Sequence, residues 1–492
     1  MDEKPKNLWN TNHKYQYHVT ISTIDSTIKS ENVDERVVYI EDLEKRKQSY
    51  GICGECKEPG TGECWCQPCN AKRFKDNFKN WTSGNKDIDE FIQQSQLNAV
   101  HFTKCLEWIP FEKFQNITYI AEGGFGKIYS AEWPEGFIDY WDIENQKWYR
   151  YKGCDKYALK SLNNTSDICS EFLNEIKSHL QIYLDGIVRC YGITQDPNNK
   201  EYMLVLYYCE NGNLRNYLDK SNNYINYKSK IYQLQQIAEG LLDIHNAEKV
   251  HKDFHSGNIL LDKYDPYISD LGMCQPVNKQ KVKEEGIYGV LPYMAPEVLC
   301  GYQYTKAADI YSFGIIMNEF LSEEIPFNDI PHDDFLAIKI CKGLRPTISK
   351  DIPKLFANLI IKCWDAEIKN RPTTKELYQL LTKWDDDYSQ NDEIYFQIKE
   401  CDKIRKEKFN NRSNEDKSKS SKTHPQAIYT SRLLNFKNLP KPVNSSDLSS
   451  FQFISDANYT AQSTSANPIS ECLDVQLSEL ELNEICQDNE HN

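Results

Sequence analysis

The chain of 492 residues contains no apolar run approaching the roughly 18 residues of a membrane helix, so no span is expected. Its opening, MDEKPKNLWN, has no apolar h-region, and no secretory leader is expected there. Basic side chains are scarce beside acids, 58 against 73, for a formal charge of −15. That balance argues against broad nucleic-acid binding, which needs cationic surface. No self-similarity with a period of about 20–50 residues is visible, which argues against a solenoid or propeller. What the chain does have is cysteine, 17 residues, and 39% hydrophobic residues, enough for a substantial core. Without an export signal, the thiols are read as free or metal-bound in a reducing compartment, and the expected location is cytoplasmic.

Composition divides the chain. Residues 1–50 are polar and weakly patterned and are read as a disordered leader. Residues 51–100 form a cysteine-rich segment and a helix: five of the 17 cysteines lie between 51 and 70, and 82–98 reads as helical with Thr82 or Ser83 as N-cap. From 114 to 384 the apolar pattern is continuous. Strand-like runs come first (117–121, 127–132, 156–162, 202–208) and helical runs follow (230–245, 307–321, 355–364), an α+β order that suggests two lobes. Residues 385–492 are read as a linker, basic over 403–422, and a disordered acidic tail. Residues 443–492 carry nine acids and no Lys or Arg, so −9 of the −15 lies there.

The chemistry begins with ITYIAEGGFGKIYSAEW, where Gly123, Gly124 and Gly126 lie between two strand-like runs. Such a turn lets backbone N–H groups approach phosphate oxygens, although a plain glycine hairpin reads equally well. Lys160 ends the alternating run KYALK, and Glu175 in SEFLNEIKSHL is a carboxylate that could orient it; ordinary surface roles for both remain open at this point. VHKDFHSGNILL is more specific. Asp253 can accept or align a hydroxyl proton, and Asn258, five residues on, can ligate Mg²⁺ through its amide oxygen. Asp270 in YISDLG is placed to supply a second Mg²⁺ ligand. YMAPE (293–297), AADIYSFG (307–314) and KNRP (369–372) follow.

In this order and spacing the segments resemble a eukaryotic protein kinase catalytic domain over 114–384. The CW…RP and YMAPE forms look most like the tyrosine-kinase-like group, which is generally serine/threonine-specific. The resemblance implies a bilobal fold, with a small β-rich N-lobe and a large α-helical C-lobe, and an ATP-dependent enzyme that phosphorylates protein hydroxyls in intracellular signalling. Ser/Thr is the expected acceptor, with Tyr left open. It implies that Glu122, Gly123, Gly124, Phe125, Gly126 and Ile128 lie over the ATP phosphates, and that Lys160, paired with Glu175, meets the α/β-phosphates. Leu206 would be the gatekeeper, the hinge Tyr207–Cys209 would meet the adenine edge, and Ile128, Ala158 and Leu260 would sandwich the ring. Asp253 would be the catalytic aspartate, Asn258 and Asp270 the Mg²⁺ ligands, and Glu297 and Arg371 a buried pair.

Several positions depart from the family pattern. Ala121 replaces its first loop glycine, Leu271 the middle residue of its DFG, and Lys252 the arginine before Asp253, keeping charge but losing bidentate recognition. His255 stands where serine/threonine kinases usually have lysine and Val290 where they usually have threonine; imidazole donates more weakly and pH-dependently. Residues 270–297 contain no Ser or Thr, so Tyr288 and Tyr293 are their only hydroxyls; Tyr288 is the one candidate phosphosite there, and constitutive or partner-driven activation is expected instead. Pro134–Asp155 is longer than usual and aromatic-rich, and reads as an extended strand hairpin.

The cysteine-rich segment gives Cys53-x2-Cys56 and Cys66-x2-Cys69, with Cys64 extra. Paired CxxC knuckles can bring four thiolates around structural Zn²⁺, with a redox pair or unstructured thiols as alternatives. The segment also resembles the leader of a large fungal kinase group. The reading is therefore a protein kinase using ATP, Mg²⁺ and structural Zn²⁺, acting on a protein substrate, with no nucleic-acid or membrane partner. The alternative is a pseudokinase or scaffold that binds through the zinc segment and tail, which Lys252, His255 and Val290 favour.

Overall fold

The computed structural model describes residues 6–10, 19–21, 37–123, 126–162, 170–182, 186–220, 224–277, 287–386, 393–411 and 423–445. The principal helices are α1 (Leu43–Tyr50), α2 (Gln67–Asn77), α3 (Lys86–Asn98), α4 (Ser170–Gln181), α5 (Tyr227–Asn246), α6 (Lys306–Ser322) and α7 (Glu393–Asn410). The strands that matter for the site are β1 (Glu107–Trp108), β2 (Gln115–Gly123), β3 (Gly126–Glu132), β4 (Phe137–Asp142), β5 (Lys147–Tyr151), β6 (Tyr157–Leu162), β7 (Cys190–Gln195), β8 (Tyr202–Tyr207), β9 (Ile287–Gly289) and β10 (Arg432–Leu434).

Six strands form the N-lobe sheet in the order β1-β7-β8-β6-β3-β2. The central β8, YMLVLY, is apolar at nearly every position because both of its faces are covered. Helix α4 closes one face by packing Phe172 and Ile176 against Leu204 and Leu206. The C-lobe is helical around α6, which is buried continuously from Ala308 to Ser322 and is apolar around most of its circumference, as a central helix must be. No helix among the described residues is long and apolar enough to cross a membrane.

Pro134–Asp155 does form a hairpin: β4 and β5 pair antiparallel, Phe137 opposite Tyr151 and Asp142 opposite Lys147. Its aromatic face meets the cysteine-rich segment. Trp148 stacks on Phe74 with centroids 4.7 Å apart, Trp65 is fully buried beside it, and the Arg73 guanidinium lies 4.2 Å over Trp141.

Three expectations are corrected. Helix α3 begins at Lys86 with Asn85 as its cap, accepting from the N–H groups of Asp87 and Ile88; the Thr82 and Ser83 hydroxyls are spent on Asp89 instead. The leader is not uniformly disordered. Helix α1 packs on the cysteine-rich segment through buried Arg46, which donates to Gly60 O (2.9 Å) and Pro59 O (2.6 Å). Nor is 385–445 simply linker and tail. In α7, Arg405 pairs with Glu323 (3.0 Å) and Ile398 is buried in the C-lobe core, while the chain from 423 to 445 lies along the C-lobe. These contacts are long-range and leave no periodic mark in the sequence. The acidic stretch from 446 lies outside the described residues.

Candidate active site

Lys160 sits on β6 because the alternation of YALKSL turns its side chain toward α4. Its Nζ lies 2.8 Å from Glu175 Oε1 and 3.0 Å from Asp270 Oδ1. Burial alone would lower this ammonium, but the Asp270 and Glu175 carboxylates hold it above its ordinary value, so it stays charged. Asp270 adopts a left-handed backbone (φ 59°, ψ 71°), and Leu271 behind it is fully buried in the C-lobe core. Non-glycine residues rarely hold this conformation, and strain of this kind tends to collect at functional sites.

Asp253 is 4% exposed, in a loop whose backbone is fixed from behind. Asp309, in α6, accepts from His251 N–H (2.8 Å) and Lys252 N–H (3.1 Å), and its Oδ2 lies 2.9 Å from His245 Nε2. Asn258 Nδ2 donates to Asp253 O (2.9 Å) and stands 3.3 Å from Asp253 Oδ2, which leaves the amide oxygen as the atom suited to a cation. His255 Nδ1 accepts the Gly257 N–H (3.0 Å), which leaves Nε2 to carry the proton, 3.6 Å from Asp253 Oδ2. The other Asp253 oxygen, Oδ1, accepts the Ser431 hydroxyl at 3.0 Å. Burial would raise the Asp253 carboxyl, but His255, His251 and the Ser431 hydroxyl hold it below its usual value, so it is ionised.

Of the residues expected around a nucleotide, Ala158, Tyr207, Cys209 and Leu260 gather at one apolar cluster, and Ile128 faces it from β3, directly opposite Lys160. Glu122 and Gly123 end β2 opposite Lys127 and Gly126. Gly126 has φ 140°, which a side chain would resist. The loop-tip residues Gly124 and Phe125 lie outside the described residues. Cys209 is 6% exposed, so its thiol is less accessible than its hinge position suggests. Glu297 and Arg371 form a bidentate pair, both bonds 2.7 Å. Lys252 Nζ donates to Gln275 Oε1 (3.1 Å), and Val290 is buried.

In the cysteine-rich segment, Cys53, Cys56, Cys66 and Cys69 converge with all four sulfurs within 4.8 Å of one another. Cys53–Cys69 is 3.9 Å and Cys56–Cys66 is 3.6 Å. A tetrahedron of ~2.3 Å Zn–S bonds has edges of ~3.8 Å, so the donor set fits zinc, whereas a disulfide needs ~2 Å. Hydrogen bonding from Cys66 pulls Cys53 down to about 5, while Cys66 and Cys69 are pushed up: four thiols this close cannot all ionise without a cation among them. Cys64 stands outside the set.

Sequence reasoning passed over Asp309 and Ser431. Asp309 had a signal, a lone acid inside the apolar run AADIYSFGIIM. Ser431 had none, because its significance comes from a pairing between segments far apart in the chain.

The family model described as protein tyrosine and serine/threonine kinase matches residues 114–381. The chain belongs to that family. Among curated proteins it is 27% identical over 313 residues to a probable serine/threonine-protein kinase of Dictyostelium discoideum, covering 61% of this chain and 16% of the relative. It is 30% identical over 261 residues to the RGS domain-containing serine/threonine-protein kinase A of the same organism, covering 52% and 21%. It is 29% identical over 281 residues to the serine/threonine-protein kinase VIK of Arabidopsis thaliana, covering 55% and 60%. The chain thus spans less than two thirds of the length of each of these kinases.

Proposed function

We propose that the chain is an ATP-dependent protein kinase, serine/threonine-directed, whose catalytic domain is 114–384. The observation that carries the reading is the ionised Asp253 carboxylate accepting a serine hydroxyl, on the same cleft as the Lys160–Glu175–Asp270 cluster. Asp253 aligns the acceptor hydroxyl and takes its proton, Lys160 holds the α/β-phosphates, Glu175 fixes Lys160, and Ala158, Leu260 and Ile128 enclose the base against the Tyr207–Cys209 hinge. Asn258 and Asp270 would hold Mg²⁺, which supplies charge neutralisation at the transferred phosphoryl group. Lys252, His255 and Val290, which favour the scaffold alternative, leave these contacts intact.

The YMAPE and CW…RP forms support placement in the tyrosine-kinase-like group, and the paired CxxC leader supports the expanded fungal family. The four convergent thiols support structural zinc at Cys53, Cys56, Cys66 and Cys69. The free cysteines support a reducing, cytoplasmic setting, and the acidic composition supports protein rather than nucleic-acid partners. The test is Asp253→Asn. Phosphoryl transfer to a protein substrate should fall by about 10²–10⁴-fold while nucleotide affinity is kept. Undiminished transfer would refute the role of Asp253.

A further inference from the structure

We propose that Ser431 is an intramolecular phosphoacceptor, a serine that the kinase presents to its own catalytic carboxylate in cis. This rests on the reading of Asp253 as the catalytic aspartate. The Ser431 hydroxyl is 3.0 Å from Asp253 Oδ1, and it is held there from both sides.

On the C-terminal side, β10 pairs antiparallel with β9, Arg432 opposite Gly289, Leu433 opposite Tyr288 and Leu434 opposite Ile287. Leu434 is buried in the C-lobe core, Val443 N–H donates to Cys341 O (2.9 Å), and Asn444 Oδ1 accepts from Ala366 N–H (2.8 Å). On the N-terminal side, Ile428 N–H donates to His332 Nδ1 (3.1 Å) and Tyr429 OH to Pro326 O (2.8 Å). The Tyr429 ring packs on His332 with centroids 4.8 Å apart, and the Arg215 guanidinium lies 4.3 Å over it. A segment that passed the cleft by accident would not be fixed by strand pairing on one side and an aromatic anchor on the other, with a hydroxyl on the one carboxylate that can take its proton. Added as an edge strand, the segment meets the kinase as an extended peptide substrate would.

The absence of Ser and Thr from 270–297 gives the placement a purpose: the aliphatic hydroxyl lacking in that stretch is delivered to the site by the chain beyond the domain. In the transfer, Ser431 Oγ attacks the γ-phosphorus of ATP, the new Oγ–P bond forms as the bond from that phosphorus to the β,γ-bridging oxygen breaks, ADP leaves with the electron pair, and the hydroxyl proton passes to Asp253 and then to solvent. No reactant beyond MgATP is needed.

The experiment uses the full chain, dephosphorylated, given MgATP and followed by phosphopeptide mass spectrometry, with casein added in a parallel sample. Phosphate is expected on Ser431, with first-order kinetics whose half-time is unchanged over about a hundredfold dilution, as a tethered acceptor requires. Ser431→Thr should carry phosphothreonine at 431, and Asp253→Asn should carry no phosphate there. If casein is phosphorylated while residue 431 stays bare, or the phosphate falls on Thr430 instead, the proposal fails and the kinase reading stands. A rate at 431 that rises in proportion to protein concentration overturns the cis assignment. If neither casein nor residue 431 is phosphorylated, the kinase reading fails with it.

Discussion

Glu297→Ala tests how the end of the 270–297 stretch is held. Arg371 makes four hydrogen bonds in a buried setting: two to Glu297 at 2.7 Å, one to Ala307 O at 2.9 Å and one to Asp365 O at 2.8 Å. Removing Glu297 takes away the only anion among these partners and leaves the guanidinium, whose side chain is 0% exposed, with two carbonyls. Breaking one side of a buried pair costs about 3–5 kcal/mol, and the remaining carbonyls place Glu297→Ala toward about 3. Arg371→Met should cost at least as much, because Glu297 then loses both its charge partner and its two donors. With about 2–4 °C per kcal/mol for a lobe of this size, the melting temperature of the C-lobe should drop by roughly 6–20 °C. The assay is thermal and urea unfolding of wild type, both single variants and the Glu297→Ala/Arg371→Met double variant. The double variant should be less destabilised than the sum of the singles, since it leaves no orphaned charge. A loss under about 1 kcal/mol in either single variant, or simple additivity of the two, would refute the argument.

Three further outcomes are expected. The full chain should carry one zinc ion, and Cys69→Ser should lose it together with near-UV dichroism from Trp65 and Trp148; metal analysis that finds none in the wild type removes the assignment. Asp309→Ala strips the acceptor from one buried and one half-buried N–H, with a cost of about 1–3 kcal/mol for the buried one, so transfer should fall while nucleotide affinity changes little, which separate titration and rate measurements would read. Lys230 is fully buried and its ammonium is pulled down from 10.5 to about 8 by desolvation, so the unfolded chain binds more protons between those values, and wild-type stability should rise relative to Lys230→Met as pH climbs through that window. A stability difference that stays flat with pH would contradict the Lys230 shift.

The regular elements were legible because their signals are local. KYALK and YMLVLYY read as strands, and the helices expected at 82–98, 230–245, 307–321 and 355–364 lie within a few residues of their observed ends, because apolar spacing of two or about 3.6 reports which face is covered. The Lys160, Asp253, Asn258 and Asp270 cluster was legible because that chemistry tolerates few residue types at fixed offsets. The cap of α3 was not, since Thr82, Ser83 and Asn85 are all good caps and only the position of Asp89 decides among them. The paths of 393–411 and 423–445 were invisible for a deeper reason. IYTSRLLNF has neither period, and its fold is borrowed from Ile287–Gly289, more than a hundred residues earlier.

Ile88 and Ile92 of α3 pack into the same core as Phe172 and Ile176 of α4, and Lys104, just beyond α3, donates to the carbonyls of His179 and Ile182 at the end of α4. Glu175 lies between those anchors, so the carboxylate that orients Lys160 is carried on a helix braced from the cysteine-rich side. Two ligands that each favour the same seating of one helix are thermodynamically linked. By whatever factor an ion among the four thiols strengthens nucleotide binding, nucleotide must strengthen the hold on that ion by the same factor.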